Sequence, residues 1–261
     1  MITCNTIGTN GRLGNQLFQY ASLLGMAKIK GYDYGVPYNK KSDNEYYNFF
    51  LPECFLNLKA KDCSNHISNF IAREEQFSFD ERFFNLPDNT DIWGYFQTEK
   101  YFKNYRNEIL NEFDFRQEIK DVCNTFIEPY KNENTTSIHI RLGDYLTVPD
   151  AHPVCTEEYY IKAINEIPKK SLIFIFSDDV EKAKNIFKYF DKKIIYPDFN
   201  NKFLDMCLMT MCDNHIIANS SFSWWGAWLA NSKKVIAPSL WFGSKVQKDW
   251  SDIYCEGWKV I

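Results

Sequence analysis

Four short segments of this chain place polar, chemically capable residues just beyond a strand-like run. Gly11-Arg12-Leu13-Gly14-Asn15-Gln16 follows a β-like stretch over residues 2–7. Arg141-Leu142-Gly143-Asp144-Tyr145 follows a strand-like run ending at Ile140. Ser177-Asp178-Asp179 follows the run 172–176, and Asn219-Ser220-Ser221-Phe222-Ser223 follows 215–218. In open parallel sheets, ligands bind beyond the carboxyl ends of the strands. Four polar endings on such apolar strands therefore predict one cleft lined by all of them.

Each ending suggests a chemistry. In the glycine loop the backbone can approach a phosphate, and the helix that follows offers unpaired N–H groups. The pattern is neither GxGxxG nor GxxxxGK[ST], so it predicts no dinucleotide fingerprint and no P-loop, and a plain turn reads it equally well. Strand alternation puts His139 and Arg141 on one face. Arg141 could hold a pyrophosphate bidentately and offset the charge that grows as it departs, while His139 could bond a base or ribose. An Arg141–Asp144 ion pair beside a core histidine is the competing reading. Ser220 and Ser221 stand at a predicted helix start, a natural anion site that is also the usual place for an N-cap. Asp178 could accept two hydrogen bonds from guanine, or cap the helix beginning near Val180. Trp224, Trp225 and Trp228 read as core. No DxD motif follows a strand, and no His, Asp or Glu cluster has metal-ligand spacing. Together the endings favour a nucleoside diphosphate held by arginine and a helix dipole rather than by a metal.

The elements that must position these residues alternate. Residues 2–7, glycine loop and the helical pattern over 15–30 read as strand, turn and helix. Strand-like runs at 137–140, 172–176, 193–196, 215–218 and 234–237 alternate with helical stretches at 157–167, 180–190, 201–212 and 221–230. Thr156 is placed to cap the first of these helices. Continuous apolar strands between helices predict parallel sheets covered on both faces. Residues 91–96 read as a strand, and 98–113 and 116–130 as helices. Residues 38–90 show no clean period and are expected to be irregular with short helices. The polar stretch 131–136 marks a boundary, giving domains 1–131 and 132–261.

With 261 residues the chain can bury a sizeable core, and its net charge of −4 offers no general attraction to nucleic acid. The eight cysteines form no CxxC pair, so they are expected to be mostly reduced and buried. Asn134-Thr135-Thr136 and Asn219-Ser220-Ser221 match the glycosylation pattern, which matters only in a secretory compartment. No signal peptide and no run of about 18 apolar residues is visible. The expected location is the cytoplasm, with peripheral attachment to a membrane left open.

The motifs GRLGNQLFQYA (11–21), GYFQ (94–97), HIRLGDY (139–145), FSDD (176–179) and NSSFSWWGAWL (219–229) resemble glycosyltransferase family 11, the α-1,2-fucosyltransferases. The order and spacing match over most of the chain, with residues 38–90 outside the resemblance. The resemblance implies two facing Rossmann-like domains of the GT-B type, the first on the acceptor side and the second binding GDP-fucose. It implies an inverting, metal-independent galactoside α-1,2-fucosyltransferase, without a cofactor, acting in glycan biosynthesis on an oligosaccharide or other glycan acceptor. Carried onto this chain, Arg141 would meet the pyrophosphate, and His139 and Asp178 the guanosine. Ser221 and Ser223, with nearby backbone N–H groups, would hold phosphate, and Ser220 is a further substrate-binding candidate. Asn15 would reach the diphosphate or sugar from the other domain, with Gly14, Arg12 and Gln16 beside it. Many relatives have RRGDY where this chain has Leu142, and Arg12 is the residue that could stand in for the missing cation. Asp144 and Asp150 are the candidate bases, Asp144 being also suited to orienting Arg141. The competing functions are a transferase using another nucleotide sugar and a non-catalytic carbohydrate-binding relic.

Overall fold

Among the described residues of the computed structural model, the named strands pair in parallel and form two separate sheets. The structure describes residues 1–38, 48–188, 190, 192–230 and 232–261. One unit comprises Met1–Arg116 and Lys248–Cys255, the other Gln117–Gln247 and Glu256–Ile261.

The first unit contains β1 (Ile2–Thr3), α1 (Leu13–Lys30), β2 (Tyr34–Val36), α2 (Leu51–Cys54), β3 (Lys61–Asp62), β4 (Phe70–Arg73), β5 (Thr90–Trp93) and α3 (Arg106–Glu112). Its sheet runs β3-β2-β1-β5-β4. Helix α1 is buried on nearly every side from Leu13 to Ala27, as its near-continuous apolar sequence requires. It ends at Gly31, whose φ of 67° puts its N–H onto the last carbonyls of the helix. Gly25 lets the segment 99–105 lie directly on α1, since a Cβ there would stand 2.0 Å from the Tyr101 carbonyl oxygen. That segment forms two 3-10 turns before α3 rather than the continuous helix expected over 98–113. Residues 248–255 return to this unit. Phe77 N–H donates to the Asp249 carbonyl at 2.8 Å, and Phe79 N–H to the Asp252 carboxylate at 2.9 Å.

The second unit contains α4 (Gln117–Ile127), β6 (Thr135–Ile140), α5 (Glu157–Glu166), β7 (Leu172–Ser177), α6 (Val180–Phe187), β8 (Ile194–Ile195), α7 (Lys202–Thr210), β9 (Asn214–Ile216), α8 (Ser221–Leu229), β10 (Lys234–Ala237) and β11 (Lys259–Val260). Its sheet order is β11-β10-β9-β6-β7-β8. Counted within this unit, the order is that of dinucleotide-binding sheets, in which the first and fourth strands meet at a switch point. Thr156 caps α5 by accepting from Tyr159 N–H, as expected. Tyr159 and Tyr160 then tie α5 to the sheet, donating to the carbonyls of Ile217 (2.6 Å) and His139 (3.0 Å). On α8, Trp224, Trp225 and Trp228 are buried against one another, with Trp258 packed on Trp224, so these indoles are core.

The boundary expected at residue 131 lies inside the second unit. Helix α4 packs on α7, with Cys123 Sγ donating to the Leu204 carbonyl and Phe126 against Phe174 and Phe199, so the break falls before α4. The segment 38–90 is not merely irregular: it supplies α2, β3 and β4. Its residues 39–47 lie outside the described residues. Among the described residues no disulfide forms, and all eight cysteines are buried or half-buried. No helix among the described residues is long and apolar enough to cross a membrane.

Candidate functional site

The switch point of the second sheet lies between β6 and β9, and the polar endings of both strands come together there. Near the end of β6 His139 turns inward, with Nδ1 3.0 Å from the Ser223 hydroxyl in the first turn of α8. Burial, and then the charge of Arg141, push its pKa down to about 3, so its imidazole is neutral at physiological pH. The Ser223 hydroxyl also lies 3.3 Å from the Ser220 carbonyl and 3.4 Å from that of Ala218. Donation to either carbonyl leaves Oγ to accept from Nδ1–H, a tautomer in which Nε2 is an acceptor.

This burial has a pH signature. Below about 6.5 an unfolded chain protonates this imidazole, whereas the native one resists until about 3. The resulting stability is complete above about 6.5 and is lost as pH falls toward about 3. Buried His215, pushed down to about 4, acts in the same sense. Glu74 and Asp205, raised by burial to about 7, act oppositely, so the informative comparison is between variants. His139→Asn is expected to lose less stability than wild type between pH about 7 and about 4.5, read from urea midpoints. Parallel declines in the two proteins would contradict this.

Arg141 emerges just beyond β6 and is held by two carboxylates. Its NH1 lies 2.8 Å from Asp178 Oδ2, and its NH2 pairs with Asp144 Oδ1. The guanidinium sits 5.3 Å over the Tyr145 ring, which stacks on His152 at 4.9 Å. The Tyr145 hydroxyl donates to the Asn219 carbonyl at 3.0 Å, linking the loops after β6 and β9. Asp178 Oδ1 accepts from Leu142 N–H at 2.9 Å. Thus the carboxylate expected to read guanine is committed through both oxygens to Arg141 and its loop. It does not cap α6, since the neighbouring Asp179 does so by accepting from Lys182 N–H. Glycine at 143 leaves room for the Asp178 carboxylate, since a Cβ there would stand 2.3 Å from Asp178 Oδ2 and push it aside. Leu142 is buried in the apolar cluster containing Ile140, Tyr160 and Phe187, so its side chain belongs to the core. Asp150 is exposed and paired with Lys245 at 3.3 Å.

The serines divide their duties. Ser220 is the N-cap of α8, its hydroxyl accepting from Phe222 N–H at 3.4 Å. Ser221 opens the helix and is half-buried, beside the positive end of its dipole. Ser223 is buried and turned to His139, so its hydroxyl supports that ring. Asn219 is buried, and its amide nitrogen donates to the carbonyls of Pro153 and Trp241. It thereby anchors two neighbouring loops.

The first unit repeats the principle at its own switch point, between β1 and β5. Asn15, in the first turn of α1, accepts from Gln97 Nε2 at 2.9 Å, and Gln97 follows β5. Gly11 has φ 92°, and a Cβ there would meet the Asn15 side chain at 2.5 Å, so the loop is shaped around that amide. Arg12 is exposed at the N-cap without a side-chain capping bond, and Gly14 is buried in the first turn. The Gln16 side chain, a candidate for substrate contact, is engaged by the protein itself. It is buried, donating to the Asn48 carbonyl at 2.8 Å and accepting from Phe50 N–H at 2.9 Å, and so fastens 48–50 to α1. Gln97, Tyr145 and His152 were missed as site residues; the GYFQ and RLGDY motifs held the only signal for the first two.

Two parallel sheets, each covered by helices, define the fold class as GT-B, with two Rossmann-like units. The profile of glycosyl transferase family 11 matches residues 1–261, and the chain belongs to that family. It is 39% identical over 166 residues to the Escherichia coli O-antigen biosynthesis glycosyltransferase WbnK, a match covering 58% of this chain and 55% of that protein. It is 32% identical over 274 residues to the Escherichia coli alpha-1,2-colitosyltransferase, covering 89% of this chain and 90% of the relative. The fold is similar to that of fucosyltransferase NodZ from Bradyrhizobium, with TM-score 0.61, 15% identity, and coverage of 88% of this chain and 92% of that one. NodZ soaked with GDP-fucose gives TM-score 0.59 at 15% identity, covering 92% and 94%.

Proposed function

We propose that this glycosyltransferase moves L-fucose from GDP-fucose to the 2-hydroxyl of a galactosyl residue in a glycan, with inversion and without a metal. The observation that carries this reading is the Arg141 guanidinium fixed just beyond β6, the strand that pairs with β9 at the switch point. The acceptor oxygen attacks the anomeric carbon while the bond from that carbon to the β-phosphate oxygen breaks. The electron pair leaves with GDP, and the hydroxyl proton passes to a base, for which Asp150 and water are the candidates. Arg141 and the N–H groups of Ser221 and its neighbours offset the charge on departing GDP. The neutral Nε2 of His139 accepts from the nucleoside. Asn15, with Gly14 and Arg12, is assigned to substrate in the first unit, the acceptor-side unit, and the second unit holds the donor. The activity is placed in the cytoplasm.

A second donor has specific support. The relative matched along nine-tenths of both chains is a colitosyltransferase, and colitose is fucose without its 3-hydroxyl. Both readings share the GDP leaving group. The test is a transfer assay on galactosides with GDP-fucose, GDP-colitose and GDP-mannose, in excess EDTA. Fucosyl transfer under EDTA supports the reading, and preference for colitose keeps the chemistry but changes the sugar. Strict metal dependence, or turnover of none of the three, contradicts it.

A further inference from the structure

The two carboxylates on Arg141 present an electrostatic problem. One positive charge faces two negative ones, so the group meant to receive a diphosphate is, as it stands, surrounded by net negative charge. A donor phosphate can take the guanidinium fork only if one carboxylate leaves it. We infer that Asp144 holds the place of the donor diphosphate on Arg141 and is exchanged for it, whereas Asp178 is the partner Arg141 keeps. This rests on the donor reading above and assigns the two carboxylates opposite roles in it.

The geometry separates the two. Asp178 has a side chain 25% exposed and is fixed from three sides. Leu142 N–H bonds Oδ1, Arg141 NH1 bonds Oδ2, and the main chain at Gly143 lies against it where any larger residue would collide. Displacing Asp178 would leave a buried-side N–H and a partly desolvated carboxylate without partners. Asp144 stands in the 3-10 turn Gly143–Thr147, and its side chain is 48% exposed. Leaving Arg141 returns it to water at little cost, as for surface ion pairs in general. It grips NH2, whereas Asp178 grips NH1, so losing Asp144 opens one arm of the fork while the other stays oriented. The exchange swaps one anion for another on the same donor and requires no movement of β6 or β7.

Asp178 is thus a positioning residue, and Asp144 an internal competitor of the donor. The same chemical change, carboxylate to amide, must then act with opposite sign at the two positions. Calorimetric titration of the full chain with GDP decides it. Asp144→Asn removes the competitor and a like charge beside the diphosphate, and is expected to tighten GDP binding about fivefold. Asp178→Asn unfixes the guanidinium and is expected to weaken it about tenfold or more. Weaker or unchanged binding by Asp144→Asn overturns the inference, as does tighter binding by Asp178→Asn. Asp144 is exposed, so its variant folds and settles the sign of the exchange by itself, with thermal unfolding checked for both. Absence of GDP binding by the wild type would sink the donor reading itself, a result distinct from any pattern among the variants.

Discussion

Arg141→Ala is expected to lower transfer about a hundred- to a thousandfold, the loss typical when one preorganised donor to a developing anion is removed. The guanidinium is the positive side chain fixed at the β6–β9 switch point, held there by Asp178 and Asp144 over Tyr145. Its removal leaves the departing diphosphate beside the unpaired Asp178 carboxylate, so the barrier rises through lost attraction and exposed repulsion alike. Arg141→Lys keeps the charge but not the fork, and a single ammonium cannot hold Asp178 on one arm and phosphate on the other as a guanidinium does. It should recover only a minor part of the activity. The fold should survive in both, because β6 is secured by its ladder to β7 and β9 and by Tyr160. Near-normal turnover by the folded Arg141→Ala protein would contradict the role.

Gly143→Ala is expected to be nearly as damaging, although it adds one methyl group. That carbon would lie 2.3 Å from Asp178 Oδ2, so the carboxylate must move and release Arg141 NH1. Displacing a reacting group by about 1 Å can cost about a hundredfold, and a loss of that order in kcat/KM is expected. Leu142 on one side is anchored in the core cluster, so the loop has little room to absorb the change. A steady-state assay beside a thermal unfolding curve checks this. Full activity in the alanine variant would show that Asp178 does not fix Arg141.

How far the sequence anticipates these features depends on where each element gets its stability. Strands β7 and β10 are largely apolar and buried and were legible from local pattern, and β6, though half polar, is buried along its length and shows as a strand by its alternation from Ser137 to Ile140. Strands β3 and β11 are two residues long and exposed, and β4 is an exposed edge strand. They exist because a neighbour supplies parallel hydrogen bonds, which leaves no periodic signature. The expected helix over 98–113 failed because close packing of the Tyr101 main chain on Gly25 is a tertiary constraint. Glycine loop, strand-end arginine and serine helix start were all visible as types at strand ends. Their pairings were not. Nothing near Asp178 in the sequence says that it closes on Arg141, because that contact follows from β6 and β7 being neighbours in the sheet. Gln16 likewise looks like a loop amide and proves structural only once Asn48 and Phe50 are seen bound to it.

The account stands or falls on what the second switch point binds. Titration of the purified chain with GDP, UDP, ADP and NAD, each in excess EDTA, tests this most directly. Selective GDP binding that EDTA does not weaken is the predicted result. Tighter binding of UDP, ADP or NAD, or GDP binding that vanishes with EDTA, would contradict it.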